Sequence, residues 1–363
     1  AGINLAPPEP WPGPVDGAAL AEEVAAALRR YVVLPTGGAV TVTLWIMHAH
    51  SMDAWTISPI LALLSPDKRC GKTTLLEVIG ALTPATLHMA NVTPAALFRV
   101  IEKYEPTVLI DEADTFLNRS DELLDVVNSG HKRSTACVLR TVGDEQEPQP
   151  FRTWAAKVIA GIGTLPPTLI DRSIQITMRR KLRTERVERL RMDRAPELDD
   201  LGRKAARWFT DTMDALRAAD PQMPSGLHDR AADNWRPLLA IADELEGRWP
   251  EAARRAAALL SGAEEDESAG VQLLNDIRLL FEERGDDRMH SKDLVAALVE
   301  MEDRPWPEWR HGTPITTRGV SRLLKPFEVR PVQMKIDGVN HRGYHRGDFS
   351  DAWHRYLPQD PST

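Results

Sequence analysis

The sequence predicts an α/β protein: a parallel sheet with flanking helices, an all-helical stretch after it, and a small separate module at the carboxyl end. Three observations carry this. Between residues 57 and 178, apolar strand-like runs alternate with helical stretches, and alternation with buried-type strands marks a parallel sheet. From about 182 to 260 the apolar positions follow a helical period alone. Residues 261–270, SGAEEDESAG, then set four consecutive acids among small residues, the composition of a linker.

Composition bounds the reading. A chain of 363 residues suggests two or three domains at roughly 150 residues each. Hydrophobic content of 42% and charged content of 27% exclude global disorder, collagen and a coiled-coil rod. No apolar run approaches the ~18 residues of a membrane span. Two cysteines, Cys70 and Cys137, cannot build a disulfide framework or a cysteine-rich zinc site. With no secretory signal in view, the expected location is the reducing cytoplasm.

Taken in order, residues 1–16 form a Pro-rich arm, or the linker to a further upstream domain, with five prolines in APPEPWPGPVD. Residues 17–56 form an N-terminal helical subdomain. Its first helix (17–30) places Leu20, Val24 and Leu28 four apart, and a second runs over 41–55. The core spans 57–181, with strands at 58–65, 86–90, 107–111, 157–161 and 173–178 and helices near 72–82, 94–104, 120–130 and 166–171. Within 134–156, STACVLRTV and FRTWAA flank the acidic GDEQEPQP, which reads as a β-hairpin inserted before the fourth core strand. Residues 182–260 form a helical lid with helices at 184–193, 197–218, 229–246 and 250–260. After the 261–270 linker, residues 271–363 read helix (271–284), helix (291–300), a Trp/Pro turn, helix (316–325), hairpin (328–346) and helix (348–356). Three helices followed by a two-stranded hairpin describe a winged helix.

The motif with most chemistry is Ser65-Pro66-Asp67-Lys68-Arg69-Cys70-Gly71-Lys72-Thr73-Thr74, between a strand and a helix. That context suits a P-loop, whose backbone N–H groups and helix N-terminus cradle phosphate oxygens. Lys72 pairs with the β/γ-phosphates and the Thr73 hydroxyl ligates Mg²⁺ in this reading. Pro66 stands where a first glycine is usual, so the loop begins differently from the common form. Val108-Leu109-Ile110-Asp111-Glu112 then reads as a strand delivering two carboxylates at its carboxyl edge, where ligands of α/β sheets bind. Asp111 serves the Mg²⁺ shell and Glu112 orients and deprotonates the attacking water. The additional strand between the motifs, with the glutamate, points to the P-loop branch that contains AAA+ ATPases. No guanine-reading Asn-Lys-x-Asp stretch appears, so ATP is favoured.

Arg172 ends a short helix before the last core strand, and its plainer reading is a local contact beside Asp171. Thr164 ends the fourth strand, near a polar sensor position. In DRAADNWRPL, Arg236 and, second, Arg230 suit a lid arginine directed at the γ-phosphate. Lys132, Arg133 and Arg140 lie at the hairpin's base, where they either grip a nucleic-acid backbone or serve subunit contacts. Between Gly312 and Gly347 seven basic residues face two acids, a net +5 in a −8 chain. Arg318, Arg322 and Lys325 share one helical face and Lys335 and Arg342 flank the Asp337-Gly338 turn, which makes this module the DNA-binding candidate. Trp306 and Trp309 read as packing residues.

Together SPDKRCGKTTLLEVI, VLIDEAD, NSGHKR, AGIGTLPPTLIDRSI and DNWRPLLAIADEL resemble a family of P-loop ATPases of phages, plasmids and actinobacterial mobile elements, catalogued as a domain of unknown function and often associated with primases. The wider likeness is to hexameric AAA+ replicative helicases. The resemblance implies ATP and Mg²⁺ as cofactors, a homo-oligomeric ring expected to be a hexamer, a primase or other replication protein as partner, and single-stranded or forked DNA as substrate. It also implies that Arg172 reaches the nucleotide of the neighbouring subunit and that the hairpin lines a pore. A nucleotide-gated switch or helicase loader is the alternative, followed by an AAA+ ATPase acting on protein partners.

Overall fold

The computed structural model describes residues 5–90, 92–113, 120–142, 147–262, 269–301, 303–309, 313–336 and 339–357. The chain divides into two compact units, Ala1–Ala263 and Glu264–Thr363.

In the first unit the strands are β1 (Ile60–Ser65), β2 (Thr86–Met89), β3 (Thr107–Ile110), the hairpin β4 (Cys137–Val142) and β5 (Glu147–Arg152), then β6 (Lys157–Ile162) and β7 (Ser173–Thr177). Five of them form an all-parallel sheet in the order β2-β3-β6-β1-β7. β1 is ILALLS with all six residues buried, the pattern of a strand covered on both faces. Its side chains alternate between two cores. Leu61 and Leu63 join Val158, Ala160, Ile174 and Ile176 on one face, while Ile60, Ala62 and Leu64 join Val108, Ile110 and Ile159 on the other. The strand at 86–89 takes the outer edge, and β6 stands between β1 and β3.

Nine helices of this unit are described: α1 (Gly17–Tyr31), α2 (Gly38–His50), α3 (Lys72–Leu82), α4 (Pro94–Tyr104), α5 (Asp121–Ser129), α6 (Pro167–Ile170), α7 (Pro196–Ala218), α8 (Asp229–Leu245) and α9 (Trp249–Gly262). Local chemistry sets their starts. Asp16, Thr93 and Ser120 accept hydrogen bonds from first-turn amides of α1, α4 and α5, and Pro94 opens α4 where its missing N–H is no loss. The sequence treats 17–56 and 182–260 as separate segments. In the structure α1 and α2 pack with α3, α7, α8 and α9 around one core. Trp45, Trp235 and Trp249 are fully buried there, and burial of each such large side chain contributes about 1.5–3 kcal/mol. The indole N–H groups of Trp45 and Trp235 reach Pro59 O (2.9 Å) and Ser261 Oγ (3.0 Å).

The helix expected at 184–193 does not form. Val187, Leu190 and the exposed Met192 are its apolar side chains, none of them buried, so no buried stripe forms, and tertiary contacts take the backbone instead. Glu188 N–H donates to Arg30 O (2.8 Å), while Arg30 is paired with Glu188 (2.8 Å) and Glu197 (3.1 Å). The segment crosses the end of α1 in extended form.

The second unit contains α10 (Ala269–Arg284), β8 (Arg288–His290), α11 (Ser291–Val299), α12 (Thr317–Leu324), β9 (Val332–Ile336), β10 (Val339–His345) and α13 (Ser350–Tyr356). Its antiparallel sheet runs β8-β10-β9. The three-residue β8 was not legible as a strand. The expected Asp337-Gly338 turn lies outside the described residues, as do Asp144, Glu145 and most of the 261–270 linker. Trp306 is fully buried and donates to buried Asp276 (2.7 Å), which is also paired with Arg304 (3.0 Å). Trp309 stacks near it at 5.2 Å. No described helix is long and apolar enough to cross a membrane.

Candidate functional site

All five core strands are parallel, so their carboxyl ends share one edge. The loop 66–71 lies there, between β1 and α3. Gly71 stands at φ +83° and Arg69 at φ +65°, so the chain turns twice through the left-handed region before α3 begins. A Cβ at Gly71 would meet Val32 Cγ1 at 3.4 Å, an ordinary contact, so the torsion rather than the space calls for glycine. Within the loop, Ser65 Oγ donates to Asp67 O (2.7 Å) and Lys68 N–H donates to Asp67 Oδ1 (2.6 Å). Lys72 Nζ donates to Ser65 Oγ.

Asp111 follows β3 and meets the head of α3 across β6: Thr73 Oγ1 donates to Asp111 Oδ2 at 3.0 Å. Its other oxygen accepts from Glu112 N–H (2.8 Å). Glu112 takes φ +54°, a left-handed conformation unusual for a non-glycine residue. Strained backbone of this kind concentrates at functional sites. Thr164, exposed beyond β6, lies on the same edge, and Gly163 N–H donates to Ser65 O (3.0 Å). Lys72, Thr73, Asp111, Glu112 and Thr164 are therefore gathered, together with the 66–74 loop.

Two contributors at this edge escaped the sequence reading. Arg180, beyond β7, binds Asp67 Oδ2 (2.5 Å) and Lys68 O (3.1 Å), neutralising the loop's acid and anchoring the loop to the neighbouring strand. The signal was the basic run RRK after the last core strand, but nothing local ties it to a residue 113 positions away. Val32, beside Gly71, also lines a cavity of about 430 Å³ with Val33, Leu34, Pro35, Val40 and Val187 and with the polar Arg29, Thr36, Glu185 and Arg186. That volume, with its mixed apolar and polar lining, has room for a nucleobase.

The donors fit a magnesium nucleotide. Mg²⁺ takes oxygen ligands, and keeps one or two protein carboxylates beside substrate phosphates and water. Thr73 and Asp111 offer that set, while no group of three or more His, Cys, Asp or Glu suited to a metal occurs among the described residues. The Arg180–Asp67 pair removes the negative charge that would oppose phosphate in the loop.

The remaining predicted arginines stand elsewhere. Arg172 precedes β7 and so lies at the opposite, amino-terminal edge of the sheet. It lines a cleft of about 760 Å³ with Lys132, Arg140, Arg230, His131 and Asp233. Its guanidinium donates to Thr168 O (2.5 Å), and burial, then the nearby Arg230 charge, pushes it below the usual arginine range. Arg230 and Arg236 do not reach the loop, contrary to the lid expectation. The first turns of α8 are held at the Arg172 edge because Asn234 Nδ2 donates to Asp171 O (3.1 Å) and its Oδ1 accepts from His131 Nε2 (2.7 Å). Burial lowers the His131 pKa, which keeps the ring neutral. Arg236 points outward to Asp220 (2.7 Å).

At the hairpin's base, Lys132 is exposed, Arg133 is paired with Asp53 (3.2 Å) and Arg140 with Glu122 (2.9 Å). Beneath them lies Lys157, buried without a carboxylate. Its Nζ donates to Ala155 O (2.9 Å), Thr153 O (3.0 Å) and Gly130 O (3.4 Å), and burial pushes it down to about 7. In the second unit Arg318, Arg322 and Lys325 line a concavity of about 510 Å³ along α12, with Thr313, Thr316 and Trp309. Lys335 and Arg342 are exposed on β9 and β10.

This geometry defines a class first: a mixed α/β protein with a parallel central sheet, with a lysine and a threonine at the head of the helix after β1 and two carboxylates just after β3, two strands separated by a third. Residues 177–356 match the family described as Protein of unknown function (DUF3631). Over 191 residues the chain is 38% identical to an uncharacterized 28.9 kDa protein in the xis 5′ region of Saccharopolyspora erythraea, covering 51% of this chain and 70% of that protein. The chain belongs to this family. The family match begins at Thr177, after the 66–74 loop and Asp111-Glu112. Two solved A-form apo structures of the NrS-1 C-terminal region are similar at 12% identity. Their TM-scores are 0.47 and 0.42, each covering 94% of this chain and 78% and 77% of those chains.

Proposed function

We propose that the protein is an ATP-hydrolysing, ring-forming DNA motor, a replicative helicase of a mobile element or phage. The observation that carries this reading is the meeting of Thr73 and Asp111 at 3.0 Å beside Lys72, at the carboxyl edge of a parallel sheet. Bound ATP with Mg²⁺ would supply the phosphoanhydride and the charge-neutralising cation. Lys72 binds phosphate oxygens from the head of α3, and Thr73 and Asp111 hold the metal. Glu112 takes the proton of the attacking water. The cavity beside Val32 receives the base.

The position of Arg172 favours assembly. It stands at the edge opposite its own loop, where it serves a second copy's nucleotide. Arg230 shares that cleft. Lys132, Arg133 and Arg140, with the basic face of α12, contact DNA, which binds through phosphate neutralisation.

The test is ATP hydrolysis with and without forked DNA, followed together with strand displacement. Lys72→Ala is expected to lose binding or hydrolysis, and Glu112→Gln to bind ATP without turnover. Normal turnover by Glu112→Gln would remove the base assignment. DNA-stimulated hydrolysis without displacement would favour the second reading, a nucleotide-gated loader, which uses the same residues.

A further inference from the structure

The second unit has a second basic concavity, which shares Arg318 and Ser321 with the one along α12. Ser291 and Lys292 at the head of α11, Thr317, Arg318 and Ser321 on α12, and Arg342 on β10 line one cavity of about 340 Å³. No carboxylate of the described residues lines it. The nearest acid in sequence, Asp293, turns to His290 Nδ1 at 3.8 Å. The side chains of Lys292, Arg318 and Arg342 are exposed and have no ion pair or hydrogen bond to another described residue. Ser291 is only 9% exposed, and its buried hydroxyl has no hydrogen-bond partner.

Three cations delivered by three different elements into one hollow repel one another unless an anion lies among them. Their arrangement differs from the face of α12, where Arg318, Arg322 and Lys325 follow one helix and could track successive phosphates. Here the charges come from three different elements that line one hollow. Two helices, α11 with nine residues and α12 with eight, also begin at the rim, and helix N-termini favour negative charge. Thr317 and Ser321 add hydroxyl donors.

We propose that this cavity is a socket for one phosphate of a nucleic-acid backbone, fixing the position of the strand on the second unit. The proposal rests on the DNA-binding reading of that unit, and it assigns Lys292 and Ser291, which the sequence did not single out.

The experiment measures binding of the full-length chain to fluorescent single-stranded DNA against salt concentration. Each neutralised phosphate adds about 0.7 to the slope of log K against log salt on a single strand. One shared phosphate predicts that the triple variant Lys292→Gln/Arg318→Gln/Arg342→Gln lowers the slope by about 0.7, and that Lys292→Gln alone loses most of that. Lys292→Arg should retain it. A loss near 2 would mean three separate phosphate contacts, and no loss would mean no contact; either overturns the socket. Titration with inorganic phosphate alone separates the sources. Tight phosphate binding with an unchanged DNA slope would make this a free-anion site and overturn the proposal. Wild-type protein that binds no DNA would remove the DNA reading itself, whereas wild-type binding with an unaffected triple variant removes the socket alone. Unchanged melting temperatures verify that the variants are folded.

Discussion

Replacing Lys157 by methionine should change how stability depends on pH more than it changes any surface property. The Lys157 side chain is fully buried at the start of β6 and its ammonium faces three carbonyl oxygens and no carboxylate. Gly130 is its close neighbour: a Cβ there would lie within 2.2 Å of Lys157 Nζ, so the pocket has no spare room. Burial lowers the group from 10.5 to about 7. At about 1.4 kcal/mol per pH unit, that span of 3.5 units corresponds to about 5 kcal/mol, a ceiling because the three carbonyls favour the ammonium. The sign follows from proton counting. Between pH 7 and 10.5 the unfolded chain holds the proton and the folded chain releases it, so stability rises with pH by up to about 1.4 kcal/mol per unit. Below pH 7 the penalty is constant. Urea unfolding of wild type and Lys157→Met from pH 7 to 9.5 reads this as the difference between the two curves, which cancels groups common to both. The difference should change steadily in favour of wild type as pH rises. A flat difference would refute the argument and mean that the carbonyls hold the ammonium charged throughout.

Three further outcomes are expected. Burial of His48 and partial burial of His50 lower them to about 3 and about 4, so they remain neutral in the fold while the unfolded chain protonates below about 6.5; stability should fall as pH drops from 6.5 towards 4, and His48→Gln should reduce that fall in acid unfolding curves. Asp276→Ala should destabilise the second unit by about 3–5 kcal/mol, because it leaves the Trp306 N–H and the Arg304 charge without their partner, and tryptophan fluorescence during denaturation would detect it. Arg180→Ala should weaken nucleotide binding several-fold with little change in melting temperature, since both side chains of its pair with Asp67 are exposed; equilibrium titration with a fluorescent ATP analogue measures it.

How much was legible depended on whether the chemistry was local. The runs ILALLS and TVLI carry their strand character in their own residues, and the 66–74 loop and Asp111-Glu112 follow strands directly, so sheet and edge cluster could be read together. Thr73 and Asp111 are 38 residues apart, yet the strand–loop–helix pattern predicts their meeting. Arg230 could not be located that way. Its direction is set by Asn234 bonding His131 and Asp171, contacts 103 and 63 residues distant. The segment 184–193 has helical composition but is claimed by Arg30. Lys157 reads as a surface lysine until the carbonyls around it are seen. β8 has three residues, too few for a period to show.

The placement of β6 has a mechanical consequence. Six residues at about 3.3 Å each make a rod of about 20 Å running from Lys157 to Ile162. Its near end is clamped beneath the hairpin by Lys157, and its far end carries Gly163, bonded to Ser65, and Thr164 between the lysine loop and the acidic strand. Hydrogen bonds to β1 and β3 guide the rod on both sides. Because β6 is held in register with both the strand that precedes Lys72 and the strand that precedes Asp111, a displacement of its Lys157 end would be shared by both strands whose ends bring Thr73 and Asp111 together.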